Sequence, residues 1–348
     1  MRRLNPQNER LKRSYLRYQK EAKGKSEASL DIIRKALSRW DDYTGAKDFR
    51  TFNREQAIGF KEQLACSKSV TGGEPLSSST RAATLIALRE FFIWLAWQPG
   101  FKSKIHVPDA DYLSLSMKDN AIAKAAKFRD FPSVEQIRAA IAAMRTDTVV
   151  ERRNRALIAF AILTGIRDRA MASLCLRHLD LSKQPPLVRQ EPNRVKTKFS
   201  KSIFTYFFRL GEDLDEIVIQ WAKELREMHL FGLNDPLFPR TKVGRGNGRE
   251  FNAIGIEACH WTTASPIRAI FRQAFSAAGL PYFPPHSFRH TLGHLMHSAC
   301  ERADQIKAWS QNLGHENVAT TLTSYGRIDP HRQGDLIASA SLRKKRKR

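Results

Sequence analysis

The stretch that decides the fold is His286-Ser287-Phe288-Arg289-His290-Thr291, which Leu313-Gly314-His315 and then Tyr325 follow along the chain. Upstream, Thr164-Gly165-Ile166-Arg167 supplies a second arginine just after a glycine. Arginine presents a planar fork of N–H donors that matches a phosphate, and histidine exchanges protons near neutral pH. Two arginines, two histidines and a tyrosine can therefore bind a phosphodiester and attack it with a phenol oxygen.

The first of these sites combines a turn with an arginine. Thr164-Gly165 predicts a turn, after which a new helix begins at Arg167. An arginine at that point adds its guanidinium to the positive end of a helix, and both favour a phosphate. Taken alone, Arg167 would more simply be a surface arginine in a salt bridge.

His286 and Arg289 open a second predicted helix, which Pro284-Pro285 precedes. Residues three apart on a helix lie on one face, so both side chains can reach the same phosphate. The neighbouring His290 is expected to be a structural histidine, hydrogen-bonded beneath the site.

Four histidines at helical spacing raise the alternative of a metal site, because histidines at i and i+4 can bind zinc. They are His286, His290, His294 and His297. No glutamate lies between the first two as a hydrolytic base, and no cysteine pair is near in the sequence. The pattern therefore favours phosphate chemistry over a metal centre.

Leu313-Gly314-His315 predicts the end of a helix, with Gly314 in the left-handed cap and His315 just beyond it. A phenol has an ordinary pKa of about 10, so Tyr325 needs a base or a strongly positive site to attack near neutral pH. Taken singly, Tyr325 would be a packed tyrosine at a helix end. The arginines and histidines around it in the sequence favour a nucleophile.

Together these motifs resemble the tyrosine recombinase (phage integrase) family, whose signatures are Thr-Gly-Leu/Ile-Arg, His-x-x-Arg-His-Thr and Leu-Gly-His before a nucleophilic tyrosine. The resemblance implies that Arg167 and Arg289 clamp the phosphate. It also implies that His286 exchanges protons, that His315 hydrogen-bonds a non-bridging oxygen, and that Tyr325 is the nucleophile.

The family also carries a catalytic lysine in a β-hairpin turn between the first arginine and the His-x-x-Arg motif. Residues 193–201 occupy that place before a predicted strand. Three lysines compete for the role. Lys198 is preferred, Lys196 is second, and Lys201 is expected past the turn.

The chain departs from the family pattern in two places. Ala170 stands where a Glu or Asp usually braces the first arginine, whereas Asp168 lies one residue after Arg167. The interval from His315 to Tyr325 is one residue longer than expected. Neither departure removes a catalytic group.

The activity that the resemblance implies is site-specific DNA recombination through a 3′-phosphotyrosyl link, with no cofactor, ATP or metal ion. Its partner would be double-stranded DNA at specific sites, bound by a homo-tetramer in the synapse, for integration, transposition of a mobile element or resolution. A type IB topoisomerase that relaxes supercoils is one alternative. A non-catalytic DNA-binding regulator is another, and the intact set of catalytic residues counts against it.

The charge of the chain agrees with a polyanionic partner. Lys and Arg number 59 against 35 Asp and Glu, a net charge of +24. The four cysteines are far apart, which favours a reducing compartment over a disulfide framework. No apolar run suits a membrane span and the N-terminus lacks a signal peptide's apolar core, so we expect a cytoplasmic protein, associated with the nucleoid if bacterial.

The fold class we expect is mainly α with a small β-sheet. Residues 1–26 are expected to form a basic arm, either disordered or a solvated helix, and residues 331–348 a basic tail. Residues 27–130 are predicted to form a helical module with its linker, and residues 131–330 a mostly helical domain with a pair of strands. The resemblance implies that the first is a core DNA-binding domain and the second a mixed α/β catalytic domain. The resemblance assigns that tail to subunit assembly.

Three helix starts and one strand are specific predictions. Asn53, Ser77 and Ser133 are placed to cap helices, and Gly45 lies just past the end of another. Alternating apolar residues over Ser202–Leu210 predict a strand, paired with one near Leu187-Val188.

Overall fold

The computed structural model of the chain describes residues 4–68, 73–124, 130–191, 195, 202–245, 251–315 and 317–319. The chain divides into two units, residues 1–127 and residues 128–348. Both are dominated by helices, and the strands form two small sheets in the second unit, so the predicted fold class is confirmed. Within the described residues, no helix is long and apolar enough to cross a membrane.

The first unit contains five helices within its described residues, joined in part by short 3-10 turns. They are α1 (Pro6–Glu21), α2 (Glu27–Thr44), α3 (Arg54–Cys66), α4 (Ser78–Ala96) and α5 (Met117–Lys124). Their shared core is rich in aromatic rings. Phe92 of α4 stacks on Phe52 with ring centroids 3.8 Å apart and meets Trp40 of α2 edge to face at 5.0 Å.

The predicted helix ends in this unit are confirmed. Gly45 follows α2 with φ +63°, the left-handed conformation that a side chain makes costly. Asn53 Oδ1 accepts a hydrogen bond from Gln56 N at 2.9 Å, and Ser77 Oγ accepts one from Thr80 N at 3.2 Å. Each cap satisfies a backbone donor that the first helical turn leaves unpaired.

Residues 6–21 form a helix with one buried face. Tyr15 is 0% exposed, and its ring lies 5.1 Å from Phe91 and 5.0 Å from Trp94. On the opposite face Arg10, Arg13 and Arg17 are exposed. The segment described above as an arm therefore contributes to the core of the first unit.

The second unit is built around α7, whose residues from Ala156 to Leu163 are all buried. Its other helices are α6 (Val134–Ala142), α7 itself (Val149–Thr164), the single turn α8 (Asp168–Met171), α9 (Glu212–Glu227), α10 (Ser265–Ala277), α11 (Ser287–Ala299) and α12 (Ala303–Asn312). The predicted cap at Ser133 is a full capping box with Gln136.

The larger sheet is antiparallel, in the order β1 (Leu179–Asp180), β2 (Leu187–Gln190) and β3 (Ile203–Tyr206). Leu187 lies opposite Tyr206, so the predicted pairing is confirmed. The strand is shorter than predicted. Phe207 N still donates to Pro186 O of the neighbouring chain segment, at 2.9 Å, but Phe208 N donates to Leu163 O at 2.7 Å, which takes the backbone from the sheet to the end of α7.

A second antiparallel pair, β4 (Arg240–Arg245) and β5 (Phe251–Glu257), was not predicted. Its base is attached to α7 through Arg153, which is 2% exposed. The Arg153 guanidinium donates to Pro239 O at 2.8 Å and to Thr241 Oγ1 at 3.0 Å, and it lies 5.0 Å from the ring of Trp261.

Candidate active site

The carboxyl end of α7 forms one wall of the site. Thr164 Oγ1 donates to Phe160 O at 2.6 Å and accepts from Ile166 N at 3.3 Å, which ends the helix. Gly165 then takes φ +59°. A Cβ on Gly165 would lie 2.8 Å from Leu313 Cδ2 and 2.9 Å from Leu292 Cδ1, so only glycine allows α11 and the end of α12 to come this close.

Arg167 lies directly after this turn and is half-buried. A helix does begin there, as predicted, but α8 has only four residues. Its dipole is correspondingly small, so the charge that Arg167 brings is mainly that of its own guanidinium. The neighbouring Asp168 accepts two hydrogen bonds from Arg268 of α10, at 2.9 and 2.8 Å.

Helix α11 begins directly after His286, where Ser287 Oγ donates to Pro284 O at 2.7 Å. His286 is exposed, and its ring meets that of His290 edge to face, with centroids 5.4 Å apart. One turn further, Thr291 Oγ1 donates to Pro132 O at 2.6 Å. Helix α11 is thus bound to the segment by which the chain enters the second unit.

Arg289 of the same helix, unlike His286, is buried within the unit. It is 2% exposed. Its Nη1 donates to Gly165 O at 2.5 Å, and its Nη2 donates to Leu313 O at 2.5 Å. One guanidinium therefore joins α11 to the ends of α7 and α12, which are distant in sequence.

The end of α12 confirms the predicted cap. Gly314 has φ +71°; its N–H donates to Gln311 O at 2.7 Å, and His315 N–H donates to Ser310 O at 3.1 Å. This pair of bonds is the Schellman motif, which satisfies the last carbonyls of a helix. It turns His315 inward, where it is 8% exposed.

His315 and Arg289 are in direct contact, with Nε2 of the histidine 2.9 Å from Nη2 of the arginine. Arginine can only donate hydrogen bonds, so this nitrogen of His315 accepts. The ring is therefore neutral with its proton on Nδ1. In that tautomer Nδ1–H is the hydrogen-bond donor of the ring.

Four of the residues singled out in the sequence lie outside the described residues: Lys196, Lys198, Lys201 and Tyr325. The same holds for the tail from residue 331 onward. Their roles stay predictions. The described part of the site consists of Arg167, Arg289 and His315 around the end of α7, with His286 at the start of α11.

One residue at this site was not anticipated. Asn312, the last residue of α12, binds the backbone of β3 through its side chain. Asparagine at a helix end is common, so its presence there predicts a cap and nothing about a partner strand.

No group of three or more His, Cys, Asp or Glu side chains in the described residues is arranged to hold a metal ion.

Comparison with solved structures supports the same fold. XerH site-specific recombinase, bound to its palindromic difH substrate in a post-cleavage complex, aligns over 95% of this chain and 84% of its own, with a TM-score of 0.64 and 16% identity. The Tn1549 transposon integrase in complex with a circular intermediate DNA aligns over 95% and 98%, with a TM-score of 0.58 and 13% identity. At these identities the likeness concerns the fold.

Sequence comparison identifies the family. Tyrosine recombinase XerC of Lactobacillus delbrueckii subsp. bulgaricus is 24% identical over 249 residues, 72% of this chain and 72% of that protein. The sequence model of the phage integrase family matches residues 132–332 of this chain. Because that match spans more than half of the 348 residues, the chain belongs to the phage integrase family and is a site-specific tyrosine recombinase that breaks and rejoins DNA.

Proposed function

We propose that this recombinase cleaves duplex DNA at specific sites with Tyr325 as its nucleophile. The Tyr325 oxygen attacks the scissile phosphorus, the bond from phosphorus to the 5′-oxygen breaks, and a 3′-phosphotyrosyl link forms. Lys198 donates a proton to the departing 5′-oxygen, and His286 takes up the phenol proton. A 5′-hydroxyl from a partner strand then reverses the step, so the phosphodiester energy is conserved.

The observation that carries this proposal is the contact of Arg289 with Gly165, Leu313 and His315. It brings cationic and proton-exchanging groups from three separate motifs to one point. A cation and an N–H donor held in advance stabilise charge that develops on non-bridging oxygens, without reorganising during the reaction. Arg167 adds a second guanidinium beside the same turn.

These groups supply the charge that divalent cations supply in many nucleases. We therefore propose that cleavage needs no metal ion, and rejoining no ATP. The proposed chemistry needs arginines that bind the phosphate, a lysine that donates a proton and a neutral histidine that donates a hydrogen bond.

The substrate is proposed to be double-stranded DNA, bound at the synapse by a homo-tetramer. The net charge of +24 and the exposed arginines of α1 support a polyanionic partner. Among the structures similar in fold, lambda integrase is described as a dimer bound to a COC′ core site; its TM-score is 0.57, with 11% identity over 92% of this chain and 97% of that one. Recombination joins two such sites, which requires four subunits. The same assembly would serve integration, transposition or resolution.

The nucleophile is tested by Tyr325→Phe on a suicide substrate nicked beside the scissile phosphate. Loss of one oxygen should abolish the covalent adduct and leave duplex binding almost unchanged. Tyr282→Phe is the matched control. Tyr282 is 38% exposed and the Arg272 guanidinium lies over its ring, so the variant should cleave like the wild type. An adduct formed by the Tyr325 variant would show that another residue attacks.

A further inference from the structure

Asn312 binds the edge of β3 as a neighbouring strand would. Its Oδ1 accepts from Tyr206 N at 2.7 Å, and its Nδ2 donates to Tyr206 O at 2.8 Å. Among the strands that the structure describes, β3 lies at the edge of its sheet and pairs with β2 on the other side. Two opposed hydrogen bonds to one residue determine both the distance and the orientation of the helix end relative to the strand.

Two further hydrogen bonds extend this contact into the β2–β3 pair. Thr205 Oγ1 donates to Asn312 O at 3.1 Å, and Gln190 Nε2 donates to Thr205 Oγ1 at 3.1 Å. Gln190 and Thr205 are both buried. Gln190 lies opposite Ile203, the pair at which residues 191–202 leave and re-enter the sheet. Asn312 is thus joined to both strands at the base of that segment.

The residues after Asn312 meet the hairpin on one side and the active site on the other. A Cβ on Gly314 would lie 2.9 Å from Ile203 Cδ1, so glycine permits the close packing of this turn on the strand. Leu313 O accepts from Arg289, and His315 contacts the same guanidinium. Residues 312–315 therefore lie between the base of the hairpin and Arg289.

We propose that Asn312 is a positioning residue for protonation of the leaving 5′-oxygen. It fixes the ends of β2 and β3 relative to Arg289 and His315. In the sequence, Lys196, Lys198 and Lys201 lie between these two strand ends. This rests on the proposed function, in which a lysine of that segment is the general acid. Such an acid must lie within hydrogen-bond reach of the atom it protonates, so a loosened base impairs proton transfer more than it impairs DNA binding.

The test compares adduct formation on normal DNA with that on a substrate carrying a 5′-bridging phosphorothiolate. A thiolate leaves without a proton, so the second substrate does not need the acid. Asn312→Ala should cleave normal DNA about tenfold more slowly, a fraction of the roughly 10²–10⁴ that acid catalysis contributes, and recover near wild-type rates on the thiolate. Thr205→Val, which keeps the shape and removes the buried hydroxyl, should show a smaller selective rescue.

Arg153→Lys is the control for general destabilisation, because Arg153 is buried in the same unit but bound to Asn154, Pro239 and Thr241. It should show no selective rescue. If Asn312→Ala is slowed equally on both substrates, or is not slowed at all, Asn312 does not position the acid. Should Asn312→Ala fail to fold, Thr205→Val decides the test, through the ratio of its cleavage rate on the thiolate substrate to its rate on normal DNA.

The outcome is separable from that of the proposed function. Lys196→Ala, Lys198→Ala and Lys201→Ala are measured alongside, and rescue of Lys198→Ala is expected. If none of the three is rescued, the acid lies elsewhere and the role of Asn312 is overturned, while the dependence of the adduct on Tyr325 still stands. If Tyr325→Phe still forms the adduct, Tyr325 is not the nucleophile, whatever the relative cleavage of thiolate and normal DNA by Asn312→Ala.

Discussion

A buried arginine lies near each end of α7, and the two arginines make different contacts. Near the first end, Arg153 belongs to the helix itself and donates outward to the base of the β4–β5 hairpin. At the last end, Arg289 comes from α11 and donates to the carbonyl of Gly165. Both side chains are 2% exposed.

Arg153 has the features of a structural arginine. Burial lowers its pKa to about 10, and its partners are a carbonyl, a hydroxyl, an amide and an aromatic ring. None of these partners exchanges protons near neutral pH. The guanidinium satisfies polar groups that the hairpin would otherwise leave unpaired in the interior.

Arg289 also satisfies two carbonyls, but its third partner is His315. Deep burial alone therefore does not separate the two arginines. What separates them is the histidine beside Arg289, which lies in the segment leading to Tyr325, the proposed nucleophile.

The largest expected effect separates the two arginines directly. Arg289→Lys keeps the charge but loses the planar fork, so adduct formation should fall about 10²–10³-fold. Arg153→Lys should lower the melting temperature and leave cleavage per folded molecule unchanged. Rates on a nicked substrate and thermal unfolding of both variants check this. If both variants lose cleavage in proportion to their stability, the two ends of α7 are equivalent.

A smaller effect is expected from the glycine that lets Arg289 reach α7. Gly165→Ala puts a side chain in a left-handed residue, at about 1–2 kcal/mol, and forces it against Leu313 and Leu292, at about 1–3 kcal/mol more. Gly45→Ala is the matched control, since Gly45 has φ +63° and nothing within 4 Å of its added Cβ.

Denaturant unfolding of the two glycine variants measures the difference. Gly45→Ala should show only the backbone cost. Gly165→Ala should be less stable and should also cleave more slowly, because Leu313 carries the carbonyl that Arg289 binds. Equal losses of stability would mean that the end of α7 has room that the observed packing does not show.

The smallest effect concerns exposed arginines, which should act on binding alone. Arg10, Arg13 and Arg17 of α1 are exposed and have no carboxylate partner among the described residues. Changing all three to Gln should weaken DNA binding and reduce the slope of log affinity against log salt by up to about 0.9 for each lost phosphate contact. Cleavage at saturating DNA should be normal.

A control triple with the same charge change is available in the same unit. Arg34, Arg50 and Arg54 are paired with Glu27, Asp48 and Glu55. Their change to Gln should alter the salt slope less. Equal slopes for the two triples would show that net charge, rather than the α1 face, governs binding.

Helix ends were the most predictable part of the fold. Gly45, Asn53, Ser133 and Gly314 each occupy the predicted cap, because capping depends on one side chain and the adjacent backbone. The β2–β3 pairing was also predictable, from alternation over several residues.

The structure of α1 was harder to anticipate, because its buried face is partly polar. Asn8 is 1% exposed, and its side chain donates to Lys47 O at 2.8 Å and accepts from Phe49 N at 3.3 Å. Such tertiary hydrogen bonds are invisible to hydrophobic periodicity. The β4–β5 pair was not predicted for a related reason. Gly244, Gly255 and a register shift after Lys242 interrupt the alternation of apolar and polar residues along its strands.

At the site, the sequence indicates which groups are needed but not how they are held. Arg289 and His315 could be identified from their motifs. Their direct contact, the tautomer of His315 and the role of Gly165 depend on distances between segments far apart in the chain. Lys198 and Tyr325 stay predictions of the motifs.

The hydrogen bond from Thr291 to Pro132 O has a mechanical consequence. Pro132 lies where the chain leaves the linker, and its neighbour Phe131 packs beside His290 and His294 of α11. A pull on the linker is therefore transmitted to α11, the helix that begins beside His286 and carries Arg289. A change in the position of Phe131 and Pro132 would therefore reach Arg289 through the helix that carries it.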